Sequence, residues 1–336
     1  MKNMNYLITG GLGFIGGNFI RYLLTKDKDA QITNIDIISH GANPANLKDI
    51  EKQKNYKFLK EDICNKETLK KHLINTDIVV NFAAESHVDR SISDPQPFFK
   101  SNTEGVLNIL EVMRQTNKNI KYFQIGTDES YGDITKGSFK EEDRLTPSSP
   151  YAASKAAADV FCLAYHRTYG LDVTLTRCTN NFGPFQFPEK LIPKTIIRAE
   201  KNLKVPIYGS GKNVRDWIYV IDHCEAVKTI IDNGKSGQIY NISSGNELQN
   251  TKVVETILEL MDKPPDLMEF VEDRPGHDIR YSLDSSKIRK ELGWTPRYQF
   301  VKAIKETVKW YINNLQWWSS LVTPQIIHPT PWKLKW

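Results

Sequence analysis

"TGGLGFIG", residues 9–16, decides the fold of this chain. It follows the apolar run NYLI, which reads as a strand, and it opens an apolar-periodic stretch over 14–26 that reads as a helix. Gly10, Gly13 and Gly16 form a Gly-x-x-Gly-x-x-Gly string. Glycine lets the backbone turn tightly and come close to a pyrophosphate, and the free N–H groups at the helix start offer it partial positive charge. Asp36 closes the next strand, 20 residues after Gly16, where a carboxylate binds adenosine ribose hydroxyls. That carboxylate repels a 2′-phosphate and no arginine lies beside it, so the pattern favours NAD over NADP. Phe14 and Ile15 in the loop, Asp62 and Ile63 after the third strand, and Ala83 and Ala84 after the fourth complete the expected cofactor contacts. Asp62 also reads as an ordinary surface turn.

Outward from this unit, strands and helices alternate. ITNIDI, YKFLKED, DIVVNFAA, IKYFQIG and DVTLTRC read as strands, and 66–74, 98–116 and 150–168 as helices. Near-continuous apolar strands separated by helices imply a parallel sheet covered on both faces: an α/β, Rossmann-type doubly wound fold that binds ligands at the carboxyl ends of its strands. After about residue 180 the pattern changes. NNFGPFQFPEKLIP reads as an ordered loop, 222–233 as a helix and QIYNIS as one more strand. The expectation is a nucleotide-binding domain over 1–180, joined by about 217–247, and a smaller mixed α/β lobe over 181–336 that is discontinuous and interleaved with it. The aromatic stretch WWSSLVTPQIIHPTPWKLKW is expected to wrap the surface or to reach a neighbouring subunit.

Composition narrows the function classes. In 336 residues, 45 Lys and Arg face 40 Asp and Glu, for a formal charge of +5. The densest basic stretch, Lys66, Lys70, Lys71 and His72, reads as the solvent face of a helix, which argues against nucleic acid. A small positive balance suits an anionic small molecule. Cys64, Cys162, Cys178 and Cys224 have neither zinc nor redox spacing and read as thiols of a reducing cytoplasm. The histidines have no metal-binding spacing, so no metal is expected. The N-terminal stretch lacks a signal-peptide plan, and no apolar run approaches the roughly 20 residues of a membrane span.

SPYAASKAAAD places Tyr151 and Lys155 four apart, on one face of a helix. A phenol with an ordinary pKa near ~10 is a poor base. A neighbouring ammonium and the positive nicotinamide ring favour the phenolate, which can then take a proton from an alcohol. Together with the glycine fingerprint, these residues resemble the short-chain dehydrogenase/reductase superfamily, extended type, over nearly the whole chain. The resemblance implies that Thr127 completes a Thr–Tyr–Lys triad.

GTDESYG, residues 126–132, adds two carboxylates that alcohol oxidation does not need. Paired carboxylates divide acid and base work when their environments separate their pKa values. Oxidation of a hexose at C4 acidifies C5–H, and an acid beside the C6 hydroxyl then completes the loss of water. The Thr–Asp–Glu string is similar to the signature of the nucleotide-sugar 4,6-dehydratases, as are NFAAESHVDRSI, VPIYGSGKNVRDWIYVIDH and EDRPGHDIRY. The resemblance implies Asp128 as the acid at C6, Glu129 as the base at C5, and hydride return to C6 without net use of cofactor. It implies a nucleotide-sugar substrate, dTDP-glucose foremost. Asn181, Arg215 and Asn250 would contact diphosphate or ribose, Tyr208 the base, and Ser86 with Glu85 the hexose, with His87 nearby. Lys190, Arg274 and His277 are further ligand-binding candidates. Gly126 and Ser130 depart from the family pattern, and DIISHGAN leaves the cofactor contacts of Ser39 and His40 open. The family implies a homodimer through a four-helix interface of 98–116 and 150–168. A UDP-sugar 4-epimerase would not need Asp128 or Glu129, and a non-catalytic dinucleotide sensor could dispense with Tyr151 or Lys155.

Overall fold

The computed structural model describes residues 4–116 and 119–336. The twelve strands among them are β1 (Asn5–Thr9), β2 (Gln31–Asp36), β3 (Tyr56–Lys60), β4 (Ile78–Asn81), β5 (Lys121–Thr127), β6 (Val173–Cys178), β7 (Asn180–Phe182), β8 (Val205–Tyr208), β9 (Val214–Tyr219), β10 (Ile239–Ile242), β11 (Glu247–Gln249) and β12 (Met268–Val271). Seven of them form one parallel sheet in the order β10-β6-β5-β4-β1-β2-β3. The order reverses beside β1, between β2 and β4, and the crevice of a doubly wound sheet lies at such a reversal.

The strands are apolar because helices cover both sheet faces. On one face Phe19, Ile20 and Leu23 of the Phe14–Lys26 helix pack with Cys224, Val227 and Ile230 of the Val220–Asn233 helix. On the other, Val106, Ile109 and Leu110 meet Leu69, Leu73, Ala158 and Cys162. The glycine loop is sterically forced. Gly10 has φ +70°, and a Cβ there would lie 2.5 Å from the Ala83 backbone nitrogen. A Cβ on Gly16 would lie 2.5 Å from the Gly10 carbonyl oxygen.

The expected elements differ from the structure at three places. NNFGPFQFPEKLIP is not only loop: it holds β7 and the start of the Leu191–Glu200 helix. β7 pairs with β9, which pairs with β11, in a separate three-stranded sheet. Within 217–247, therefore, β10 joins the parallel sheet while β9 belongs to the smaller one. The 98–116 helix contains a π-helical segment, Phe99–Glu104, ahead of Gly105–Gln115. Asn102 in that segment reaches the Glu85 backbone and Ser154, which an α-helical register predicted from periodicity does not reveal.

A buried ion pair joins the catalytic segments. Arg177 of β6, 2% exposed, donates from Nε to Asp159 of the Pro150–Tyr169 helix at 2.8 Å. Its guanidinium lies 4.6 Å from the centre of the Tyr131 ring, in the turn that follows β5. Removing one partner of a buried pair strands the other charge. Arg177→Met should lower stability by about 3–5 kcal/mol, and adding Asp159→Asn to it should recover part of the loss. Urea unfolding with an unchanged m-value is the measurement, and a midpoint at the wild-type position would refute the role given to the pair.

Candidate active site

β5 ends at Thr127 and the chain enters a short 3-10 turn, Asp128–Tyr131. The Thr127 hydroxyl accepts the Glu129 N–H at 3.3 Å and donates to Asp128 Oδ1 at 3.2 Å. Gly132, at φ +86°, ends the turn. This geometry puts three reactive side chains in a row at a strand end. Gly126, one residue earlier, pairs with Arg177 of β6, and a Cβ on it would lie 2.4 Å from the Thr176 carbonyl oxygen. The departure from the family pattern at Gly126 thus reflects a close approach of two strands. Ser130 is fully buried and its hydroxyl has no protein partner among the described residues.

Tyr151 and Lys155 come from the first turns of the Pro150–Tyr169 helix, which Ser149 caps by accepting the Ala152 N–H at 3.1 Å. Both are buried. The Lys155 ammonium, from the next turn of the same helix, donates to the Ile125 carbonyl at 2.6 Å. Burial first, then the Glu129 carboxylate, push the Tyr151 phenol well above its usual pKa, against a lowering contribution from Thr127. Burial lowers Lys155, while Asp159 on the next helical turn raises it.

The two carboxylates differ. Burial, then Glu129, push the Asp128 carboxyl well above the carboxylate range, and its Oδ2 is buried with no protein partner among the described residues. Burial also raises Glu129, but Arg274, Arg215 and Lys190 all favour its anion. Burial thus favours the neutral form of Asp128, while the surrounding cations partly offset burial at Glu129.

Two adjoining cavities meet here. One, of about 380 Å³, runs from Gly10, Gly13, Phe14, Ile15 and Gly16 past Asp36, Asp62, Ile63, Ala83 and Ala84 to Thr127, Asp128, Tyr151 and Lys155. The other, of about 170 Å³, is lined by Asn250, Tyr208, Arg215, Arg274 and His277. Ser86, Glu129, Asn181 and Lys190 border both. Every residue singled out as a catalytic or binding candidate thus borders one cavity or the other.

The first cavity fits a dinucleotide. The glycine cradle leaves its backbone open to a phosphate, and Asp36 accepts the Leu12 N–H at 3.0 Å on one oxygen and the Ile38 N–H at 2.8 Å on the other. Each oxygen keeps a lone pair for a ribose hydroxyl. Asp62 accepts the Cys64 N–H at 2.8 Å, so it is a turn residue that also borders the cavity.

The second cavity is cationic and polar. The Arg215 guanidinium is aimed by the carbonyls of Val214 and Asp278, each at 2.8 Å, and stacks 4.1 Å from the Tyr281 ring centre. Arg274 donates to Asp89 Oδ1 at 2.9 Å, and the Tyr208 hydroxyl to Asp89 Oδ2 at 3.0 Å. Burial, then Arg274, hold His277 down at about 4, so it faces the cavity neutral. Asn181 Oδ1, Asn250 Oδ1 and Arg274 Nε are buried with no protein partner among the described residues, which marks where a ligand's hydrogen bonds belong. Glu85 is engaged elsewhere, by Arg90 at 2.7 Å. Sequence reasoning passed over Asp89, Glu189 and Lys194. All three lie in quoted or adjoining segments, but only folding brings them to the cavity. Among the described residues, no group of three or more His, Cys, Asp and Glu side chains could hold a metal ion, and no helix is long and apolar enough to cross a membrane.

Comparison with known proteins agrees with this geometry. The family described as GDP-mannose 4,6 dehydratase matches residues 7–307. The dTDP-glucose 4,6-dehydratase of Streptomyces niveus is 43% identical over 325 residues, covering 96% of each chain. The low-salt glycan biosynthesis protein Agl12 of Haloferax volcanii is 44% identical, covering 93% of this chain and 99% of that one. Among solved structures, the dTDP-glucose 4,6-dehydratase DesIV of Streptomyces venezuelae, crystallised with NAD and dTDP, superimposes with a TM-score of 0.93 at 41% identity, over 95% of this chain and all of that one.

The raised Asp128 pKa has a consequence for stability. A carboxyl that holds its proton more tightly when folded stabilises the fold fully below its unfolded pKa, near ~3.9, and that contribution is lost as pH rises through the folded value. Asp128→Asn removes the titration. The variant should therefore gain stability relative to wild type as pH rises from about 4 to 8. Urea midpoints of both proteins across that range check this, and a difference that stays constant with pH would contradict the assignment.

Proposed function

The chain belongs to the family described as GDP-mannose 4,6 dehydratase, and from that premise we propose that it is an NAD-dependent dTDP-glucose 4,6-dehydratase, a hydro-lyase that converts dTDP-glucose into dTDP-4-keto-6-deoxyglucose. The observation that carries the reading is the pair Asp128 and Glu129, adjacent on one turn beside Tyr151 yet held in different protonation environments. A 4-epimerase has no use for such a pair. Relatives of that name at 43% identity over almost the whole chain support the choice of sugar nucleotide.

NAD, when bound, supplies the acceptor and later the donor of the hydride, and its positive ring favours the Tyr151 phenolate. Tyr151 takes the C4 hydroxyl proton, with the Thr127 hydroxyl orienting the sugar oxygen. Lys155, fixed on the Ile125 carbonyl, keeps a cation beneath the phenol's helix turn. Glu129 removes the C5 proton once C4 is a ketone. The C5–H electrons form the C5–C6 double bond, the C6–O bond breaks, and Asp128 gives its proton to the departing hydroxyl, releasing water. Arg215, Arg274 and Lys190 meet the diphosphate charge and the free Oδ1 acceptors of Asn181 and Asn250 suit ribose hydroxyls, while Tyr208 lies at the base and Ser86 and His277 at the remaining edge. In this reading residues 1–180, with part of 217–247, hold the cofactor and 181–336 hold the sugar nucleotide. The four free thiols suit a cytoplasmic enzyme.

The dehydratase reading predicts separable defects. Glu129→Gln should slow incorporation of solvent deuterium at C5 by about 10²–10⁴-fold, the usual effect of losing an acid–base group. Asp128→Asn should retain C5 exchange but fail to lose water. Rapid quench in deuterated water, with mass analysis of the sugar, distinguishes the two patterns. Normal 4-keto-6-deoxy product from both variants would leave the pair without a catalytic role.

We also propose a homodimer. Phe99 and Val160, 58% exposed each, stand on the two helical segments expected to form the interface. Val160→Asp should shift the sedimentation coefficient from dimer to monomer, and an unshifted dimer would place the interface elsewhere.

A further inference from the structure

The aromatic segment neither trails over distant surface nor stays apart from the site. Arg198 donates to the Ile327 carbonyl at 2.6 Å, Lys194 to that of His328 at 3.4 Å, and the Trp332 ring packs edge-on against Tyr208, with centres 4.8 Å apart. Beyond Trp332 the chain carries Trp336 to a second place, where three segments bordering the cofactor cavity converge.

The first segment is the end of β2 with the loop that follows, carrying Asp36 and then His40. The second is the stretch after β4, which carries His87 and Arg90. The third is the loop before the Leu191–Glu200 helix, which carries Glu189. Glu189 is buried and borders both cavities. His40 Nε2 is hydrogen-bonded to Glu189 Oε2 at 2.5 Å, and His87 Nδ1 lies 3.3 Å from the same oxygen, outside hydrogen-bond geometry. Trp336 is set edge-on to both imidazoles, with ring centres 5.5 Å from His40 and 6.1 Å from His87. The Arg90 guanidinium lies 5.3 Å from the Trp336 ring centre, and the indole N–H donates to the Pro331 carbonyl at 3.1 Å. Trp336 itself lines neither cavity.

We propose that Trp336 is a positioning residue for the cofactor: by clamping His40 and His87 against Glu189, it fastens the ribose-binding loop to the substrate lobe and slows release of NAD between turnovers. The inference rests on the proposed use of NAD. Its logic is geometric. Asp36 ends β2 and His40 lies on the short loop that follows it, so a tether on His40 restrains the chain next to the carboxylate that holds the ribose. An edge-to-face ring pair fixes an imidazole's orientation at no cost in hydrogen bonding, and the cation over the indole holds the clamp in place. A cofactor that must survive oxidation, elimination and reduction on one site benefits from such a tether.

The test is NAD binding to the intact protein, by calorimetric titration and by the rate at which bound NAD is lost on rapid desalting. Trp336→Ala and Trp336→Leu should each weaken NAD binding roughly two- to tenfold, as expected for a lost edge-to-face pair, with an unchanged urea midpoint. Trp336→Phe, which keeps a ring, should remain near wild type. His40→Ala should weaken binding too, and the double variant His40→Ala/Trp336→Ala should be no weaker than the worse single variant, because both break one tether. Wild-type NAD affinity and release in Trp336→Ala, or multiplicative losses in the double variant, would overturn the proposal while leaving the dehydratase reading intact. A wild-type protein that binds no NAD would remove that reading and this proposal together.

Discussion

The ion pair between Asp159 and Arg177 is the constraint on which the site's geometry depends. One buried guanidinium ties three elements together: the helix of Tyr151 and Lys155 through Asp159, β6 through its own backbone, and the Asp128–Tyr131 turn through the Tyr131 ring. Tyr131 in turn donates to Asn241 of β10 at 2.9 Å, so the tie runs across to the edge strand. A charge in a dry interior tolerates little displacement, because any movement leaves it unpaired. Helix, sheet and turn are therefore held in one relative position, and the reactive groups inherit that rigidity.

Beside this pair, the two carboxylates of the turn see different surroundings. Asp128 and Glu129 are neighbours in sequence, the first buried and the second half-buried, and they differ in what surrounds them. Glu129 looks toward Arg274, Arg215 and Lys190, while Asp128 is dominated by burial and by Glu129 itself. The same cations suit a diphosphate. Asp89, between Arg274 and Tyr208, fixes that set in place without being a candidate for chemistry.

The smaller lobe does more than cover the sheet. Its β7, β9 and β11 place Asn181, Arg215 and Asn250 around one cavity. Glu189 forms the wall shared with the other cavity. The aromatic segment lines neither cavity but packs against residues that do, with Trp332 at Tyr208 and Trp336 at His40 and His87. Cofactor and sugar nucleotide are thus handled by one connected set of contacts.

Much of this was legible in the linear chain, because it depends on local rules. The glycine string with Asp36 marks a dinucleotide loop, since only glycine tolerates Gly10's φ and its contact with Ala83. Apolar strands alternating with helices mark a parallel sheet, and Tyr151 and Lys155 share a helix face by periodicity alone. Thr127, Asp128 and Glu129 stand together simply because they are consecutive. What sequence could not supply are relations between distant residues. That Lys155 bonds a carbonyl of β5, that β9 leaves the main sheet, that Arg177 unites three segments and that Trp336 returns to His40 all depend on chain separations no periodicity encodes. Even the different environments of Asp128 and Glu129 were decided by tertiary structure, because a pKa follows from burial and from charges brought near by folding, and neither is a property of the chain before it folds.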